Sequence, residues 1–378
     1  MTDEPTASRH YLDHASTSPL RPEARDAMGR VLATSLGDPS RIHAEGMAAR
    51  VMIEEAREQV AGLVGARSRE VVFTSGATEA IAAATWGAAE RGSHMVVPAI
   101  EHSAVRESAA AHGGDVTVVG VDGKGLVDPD EVMGAVRPET SLVHLQSGNH
   151  EVGTIQPVAE VVERCRDRGV LVHVDAAMAA GHLPVDFGEL GADLLSVSAH
   201  KFGGPQGTGA LLVRRGLRLT PLLVGGDQER ARRAGEENVA AIAGFGAAAT
   251  AVATSLEREQ QAAEALTERV RAAAADIDGV EVYGDPVRRL PHLVCLGIEG
   301  IEPQAVLLSL DQAGIAAHSG SACSSEALEP SPVLEAMGVD AHRSLRISVG
   351  WSTTERDVDA VVETLPVVID KLRSLRPG

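Results

Sequence analysis

Aromatic residues are nearly missing from this chain: they make up 2% of its 378 residues. A core of the size such a length allows must be filled by Ala, Val, Leu and Ile. Cysteine is also scarce. Three thiols, an odd number spread widely, do not make a secreted disulfide framework, and the usage points to a reducing cytoplasm. Positive charge is the next shortage: 34 Lys and Arg stand against 53 Asp and Glu, a formal charge of −19. That balance opposes non-specific binding to nucleic acid or to an anionic membrane surface. The stretch MTDEPTASRHYLDHAS has no apolar signal core, and no apolar run reads as long enough to span a bilayer. Neither GxxxxGK(S/T) nor GxGxxG occurs, which weakens nucleotide readings. Without a CxxC pair or a His/Cys cluster, no zinc or iron–sulfur site is expected, and no metal. Internal repeats and low-complexity tracts are absent as well.

What the chain does have is alternation. From about residue 70, apolar strand-like runs take turns with helical stretches: EVVFTS, HMVVPA, DVTVVG, SLVHLQ, VLVHVDA, DLLSVSA and GALLVRR. Strands alternating with helices predict an α/β fold, a mostly parallel sheet covered on both faces. After about residue 236 a long Ala-rich helical stretch leads into VEVYG, LPHLVCLGI, IAAHSG and SLRISVG, a smaller α+β carboxyl-terminal domain. The expected division is 16–250 for the large domain, with 1–15 and 251–378 forming the small one.

A parallel sheet places its ligand site beyond the strand carboxyl ends. The residues there are Gly76-Ala77-Thr78, Glu101-His102, Asn149-His150-Glu151, Asp175 and His200-Lys201. Lys201 follows an apolar strand inside a Ser/Gly-rich turn. A lone lysine is usually a solvated surface residue, but this setting also suits one that forms an imine with an aldehyde cofactor. Asp175 ends a buried strand, where a carboxylate needs a partner. It is either a helix cap or salt-bridge partner, or it pairs with a protonated pyridine nitrogen. The turn TSGATEA opens a helix whose free N–H groups suit a phosphate, although many βα turns look alike. His102 could stack on a cofactor ring and carry a proton, or simply be packed. Cys165 and Cys295 sit in apolar patterns and read as small hydrophobes. Cys323, in AHSGSACSSEALEPS, has no aliphatic run to bury it, and its thiol is expected to be accessible as a nucleophile.

Taken together, SGSACSS, SAHKFGGPQGTGAL, VHVDAA, TSGATEA, EHSAV and YLDHASTSPL resemble the cysteine desulfurases of the NifS/IscS type, class V members of the fold-type-I pyridoxal-phosphate enzymes. The motifs run in order from about Tyr11 to the carboxyl-terminal helix. The resemblance implies that Lys201 holds pyridoxal 5'-phosphate as an internal aldimine and Asp175 pairs with its ring nitrogen. It implies that His102 stacks on the ring, and that Ala77, Thr78, Ser198 and His200 surround the phosphate. Arg346 would take the α-carboxylate of L-cysteine, with Asn149 also on the substrate side. Cys323 would carry the persulfide, to be passed to an acceptor such as a scaffold protein or a thiolation enzyme. A homodimer is implied too.

Three positions depart from that family's pattern. His150 stands where an asparagine is usual. Met178 replaces a glutamine that bonds the cofactor's phenolic oxygen, so both are expected beside the cofactor, and His150 is a candidate for the missing bond. Glu236 replaces a threonine that reaches a phosphate across the dimer interface, where a carboxylate would repel it. Another class V aminotransferase or lyase would have no use for Cys323. A weakly catalytic sulfur-transfer scaffold would have no reason to keep Lys201, Asp175 and Cys323 together.

Overall fold

The computed structural model describes residues 9–34, 37–320 and 330–375. The amino-terminal strand β1 (His10–Tyr11) lies apart from the large sheet. That sheet contains β2 (Val71–Thr74), β3 (His94–Pro98), β4 (Asp115–Val119), β5 (Thr140–Gln146), β6 (Leu171–Asp175), β7 (Leu194–Ser198) and β8 (Gly209–Val213). Its seven strands lie in the order β2-β8-β7-β6-β5-β3-β4. From β4 to β7 every pairing is parallel, and β8 alone is antiparallel to its neighbours β2 and β7. Because helices cover both faces, the inner strands are buried along their whole length rather than on alternate residues. Every residue of β5, β6 and β7 is buried, whereas edge strand β4 exposes Asp115 and Val118.

The carboxyl-terminal part holds β9 (Val280–Tyr283), β10 (Leu293–Ile298), β11 (Ile315–Ala316) and β12 (Ser344–Ser348). Strands β12, β10 and β9 form an antiparallel sheet, and β11 pairs with β1 in parallel, His10 opposite Ile315. The chain's first strand therefore belongs with its last sheets.

The helix Val239–Ala275, about 55 Å long at 1.5 Å per residue, joins the two regions. Ile242, Phe245, Ala248, Ala249 and Val252 pack into the core of the large sheet. Ala263, Leu266, Val270 and Ala274 pack into the core of the smaller one. Residue 250 falls inside this unbroken helix. One feature corrects the expectation about apolar runs: the helix is long and apolar enough to cross a membrane, with a window of mean hydropathy 1.7, and half of that window is buried inside the protein. It has the composition of a core helix because it serves two cores.

The scarce aromatic rings are concentrated. Phe73, Phe202 and Phe245, three of the four phenylalanines, meet with ring centroids 6.1 Å (Phe73–Phe245) and 5.9 Å (Phe202–Phe245) apart. Phe202 directly follows Lys201, so this aromatic cluster anchors the turn that carries the candidate lysine.

A second anchor is ionic. Arg57 donates to both oxygens of Glu229, at 2.6 and 2.7 Å, and the Phe73 N–H donates to the same carboxylate at 2.8 Å. Both side chains are buried. Glu229, Arg230 and Ala231 all have left-handed backbone angles, φ 48°, 59° and 59°. Each such non-glycine residue costs roughly 1–2 kcal/mol, so the turn depends on the ion pair that seats it. Removing one partner of a buried pair strands the other charge. Glu229→Ala is expected to lower unfolding stability by about 3–5 kcal/mol, measured by equilibrium denaturation. A loss under about 1 kcal/mol, the scale of an exposed pair, would refute the anchoring role.

Candidate functional site

The carboxyl ends of β2, β5, β6 and β7 and the amino end of β8 meet at one edge of the large sheet. A cavity of about 520 Å³ opens there, a size suited to a small ligand. Ala77, Thr78, His102, His150, Asp175, Met178, Ser198, His200 and Lys201 all line it. Asn149 and Arg346 lie behind its wall, and Cys323 lies outside the described residues.

Lys201 stands on a short 3-10 turn, Ala199–Phe202, that leaves β7. Its Nζ donates to the carbonyls of Ala15, at 2.7 Å, and Ser16, at 3.1 Å. Burial disfavours the ammonium form and nearby Arg346 repels it, which brings the amine down to about 8 from an ordinary 10.5. Asp175 ends β6. Its Oδ1 accepts from the Ala177 N–H at 3.0 Å and from the Ser196 hydroxyl at 3.1 Å. Asp175 needs no salt bridge to stay buried, because those bonds and the cavity solvate it.

On the β2 side, the helix Ala77–Ala89 begins at the cavity wall, with no side-chain cap on its first turn. Its leading N–H groups therefore have no intrahelical acceptor, and the dipole there favours an anion. Gly209 on β8 lets the strand approach this turn: a Cβ there would lie 2.8 Å from the Gly76 Cα. Glu79 also lines the cavity, but Arg233 holds its carboxylate at 2.9 Å, and the Ser75 N–H donates to it at 2.8 Å. The negative charge nearest the cradle is thus offset. His200 and Thr17 join across it at 3.1 Å.

His102 caps the helix Ser103–Ala111, its Nδ1 accepting from the Ala104 N–H at 3.1 Å. The proton then resides on Nε2, and burial holds the ring neutral. His150 meets it edge to face, centroids 5.1 Å apart. The His150 side chain is buried, its Nδ1 has no hydrogen-bond partner among the described residues, and burial keeps it well below the usual imidazole range. Met178 adds an apolar wall, 5% exposed.

Two buried carboxyl groups stand behind this wall. Glu101 accepts from the Gln146 N–H at 2.7 Å, and burial raises it to about 8. Glu151 accepts from the Ser331 hydroxyl at 2.5 Å and is raised by burial to about 7. Near neutral pH Glu101 is mostly protonated, so it adds little charge to the Asp175 neighbourhood.

Arg346 projects from β12 and is almost wholly buried. Its Nη1 donates to the His150 carbonyl at 2.7 Å, and its Nη2 to Asp13 at 3.1 Å and Ser16 at 2.8 Å. Its Nε has no partner among the described residues. Asn149 is committed at both ends of its amide: its Oδ1 accepts from the N–H groups of Glu151 and Val152, both at 2.8 Å, and its Nδ2 donates to the Ile100 carbonyl at 3.3 Å. Glu236 is exposed and does not line this cavity. Cys165 and Cys295 are buried, with thiols pushed up by burial, the first to about 11. Neither supplies a thiolate near neutral pH.

Thr17, Gln206 and Glu79 line the cavity without having been singled out from the sequence. Each lies within a motif already noted (YLDHASTSPL, SAHKFGGPQGTGAL and TSGATEA), so motif membership was the available signal. Asp13 and Ser16 lie in YLDHASTSPL as well, but nothing local marks them as partners of Arg346, since only folding brings them together.

The profile of the family described as aminotransferase class-V matches residues 10–361. The chain is 41% identical to the cysteine desulfurase IscS of Dictyoglomus turgidum, over 97% of this chain and 96% of that protein. It is similar to a solved NifS-like protein, with a TM-score of 0.89 and 31% identity over 97% of this chain and all of that one. A structure of SspA in complex with cysteine superposes with a TM-score of 0.80 and 29% identity, over 91% of this chain and 100% of that one.

The lowered amine of Lys201 has a kinetic signature. Only the neutral amine attacks an aldehyde, so capture of pyridoxal phosphate by apoprotein should quicken about tenfold per pH unit below 8 and level off above it. Stopped-flow absorbance checks this. A rate still climbing steeply at pH 9.5 or so would point to an ordinary, solvated lysine.

Proposed function

The chain belongs to the aminotransferase class-V family, and from that premise we propose that it is a pyridoxal-phosphate-dependent cysteine desulfurase. It converts L-cysteine to L-alanine and leaves the sulfur as a persulfide on Cys323. The observation that carries this reading is a single cavity holding a lysine with its amine near 8, a buried carboxylate and an uncapped helix start. These residues fit the cofactor. Lys201 supplies the imine nitrogen, Asp175 a partner for the ring nitrogen, and the first turn at Ala77 and Thr78, with Ser198 and His200, a seat for the phosphate. His102 supplies a neutral ring face.

When bound at Lys201, pyridoxal phosphate supplies an electron sink for charge developing at the substrate Cα. Asp175 keeps the ring nitrogen protonated. The Lys201 amine would take the Cα proton, a task its lowered basicity suits. Arg346 would receive the substrate carboxylate through Nε, which has no partner among the described residues. Asp13 and Ser16, which take both Nη2 protons, fix the plane of the guanidinium. Asn149 acts on the substrate side by holding the His150–Val152 turn. The overall change is balanced: one thiol plus cysteine gives one persulfide plus alanine. Among the three cysteines, the two that are described are buried and fully protonated. Cys323 is the thiol assigned to the sulfur.

The acceptor of the persulfide is a scaffold protein or thiolation enzyme, and the working form is a cytoplasmic homodimer. His150, whose buried Nδ1 has no partner among the described residues, would donate to the cofactor's phenolic oxygen in place of an amide.

Two measurements test this reading. Purified, cofactor-loaded protein should release alanine from L-cysteine, and Cys323→Ala should release almost none. Equal alanine from both would remove Cys323 from the mechanism. In His150→Ala, the pH midpoint of the bound cofactor's absorbance should move by about 0.5–1 unit, the scale of one lost hydrogen bond. An unmoved midpoint would reject the His150 bond while leaving the desulfurase reading intact.

A further inference from the structure

The Lys201 loop is held by its carbonyls. The His200 carbonyl accepts from the Ser18 N–H at 2.9 Å. The Phe202 carbonyl accepts from Arg21 Nε at 2.8 Å, and that of Gly203 from the Arg21 N–H at 2.8 Å. The carbonyl of Lys201 itself is held by an imidazole: His182 Nε2 lies 3.2 Å from it. An acceptor carbonyl requires the proton on Nε2, which fixes the tautomer.

His182 is fixed in turn. The preceding Gly181 has φ +84°, and a Cβ there would lie 2.6 Å from the Phe202 Cβ. The turn after β6 is thus pressed against the lysine loop, and only glycine fits. On its other side the ring stacks flat on His292, centroids 3.6 Å apart at 14°. His292 is wholly buried, and neither of its nitrogens has a partner among the described residues. Burial keeps both rings uncharged, His182 near 4 and His292 well below the usual range, so they stack without repulsion.

His292 directly precedes β10, which pairs with β12 so that Cys295 faces Arg346. The stack therefore runs from the carbonyl of Lys201 to the small sheet that carries Arg346. We propose that His182 is a positioning residue that aligns the Lys201 amine, and that the His292 stack sets this alignment from the small sheet. The inference rests on the reading of Lys201 as the imine lysine.

The donor can be separated from the packing by three variants. His182→Phe keeps a ring on His292 but has no donor. In His182→Gln the amide Nε2 lies as many bonds from the backbone as the imidazole Nε2, whereas His182→Asn falls one bond short. All would be studied as holoenzyme at equal cofactor occupancy. His182→Phe should lose most of the visible circular dichroism of the lysine-bound cofactor, which reports its held orientation. Its kcat should fall roughly ten- to a hundredfold with KM within about twofold, the pattern of misalignment rather than lost binding. His182→Gln should recover the dichroism and most of kcat, and His182→Asn should not. His292→Leu, which removes the stacked ring, should lie between.

Native dichroism and kcat in His182→Phe would overturn the proposal, and so would a glutamine variant no better than the asparagine one. If the phenylalanine variant does not fold, the glutamine–asparagine contrast still decides. A native protein that forms no lysine-bound cofactor at all would instead sink the underlying reading of Lys201.

Discussion

A charged amine cannot be carried into the mouth of a buried sheet at no cost, and much of this molecule answers to that fact. Lys201 stays there because the Ala15 and Ser16 carbonyls accept its protons while Arg346 and burial reduce its affinity for the last one. The outcome is an amine that is partly neutral near physiological pH. An exposed lysine would be protonated and inert as a nucleophile. The same constraint explains the carbonyl-by-carbonyl restraint of the loop. A partly desolvated nitrogen is useful only where it points at its target.

Around that amine, charge is rationed by burial. Glu101 and Glu151 lie close behind the cavity, and desolvation raises both. Asp175 remains the carboxylate that faces the ligand, supported by an N–H and a hydroxyl instead of a cation. The Glu79–Arg233 pair removes a repulsive charge from the anion cradle. Histidines make this arrangement possible without adding charge. His102, His150, His182 and His292 are all driven towards the neutral form by burial, so they serve as flat, polar, uncharged surfaces.

Much of the site was legible in the sequence because of a local rule. In a parallel sheet, whatever follows a strand's carboxyl end lies near the ligand, and the strands themselves are marked by apolar runs. Thr78, His102, His150, Asp175 and Lys201 reach one cavity for that reason alone. The placement of Asn149 and Arg346 behind the wall was less legible. Asn149 also follows a strand, but its side chain closes its own turn, a choice made by bond geometry and not by sequence spacing. The membrane-length helix shows the opposite error: no apolar run was expected to be long enough to span a bilayer, yet its length and composition satisfy a bilayer test. Only its packing into two cores marks it as a core helix.

By itself, then, the sequence determined the alternation of strands and helices and which polar residues follow the strands' carboxyl ends, among them the lysine, carboxylate and helix start proposed for the cofactor. Those are short-range matters of periodicity, turn chemistry and residue type. Tertiary structure alone decided the partners that span the chain. Arg57 meets Glu229 across 172 positions, Arg346 meets Asp13 across 333, and His182 lies flat on His292. Such pairs leave no local trace, because an ion pair or a stack between distant residues imposes no spacing on either segment. They exist only where burial makes an unpaired group costly enough to select its partner.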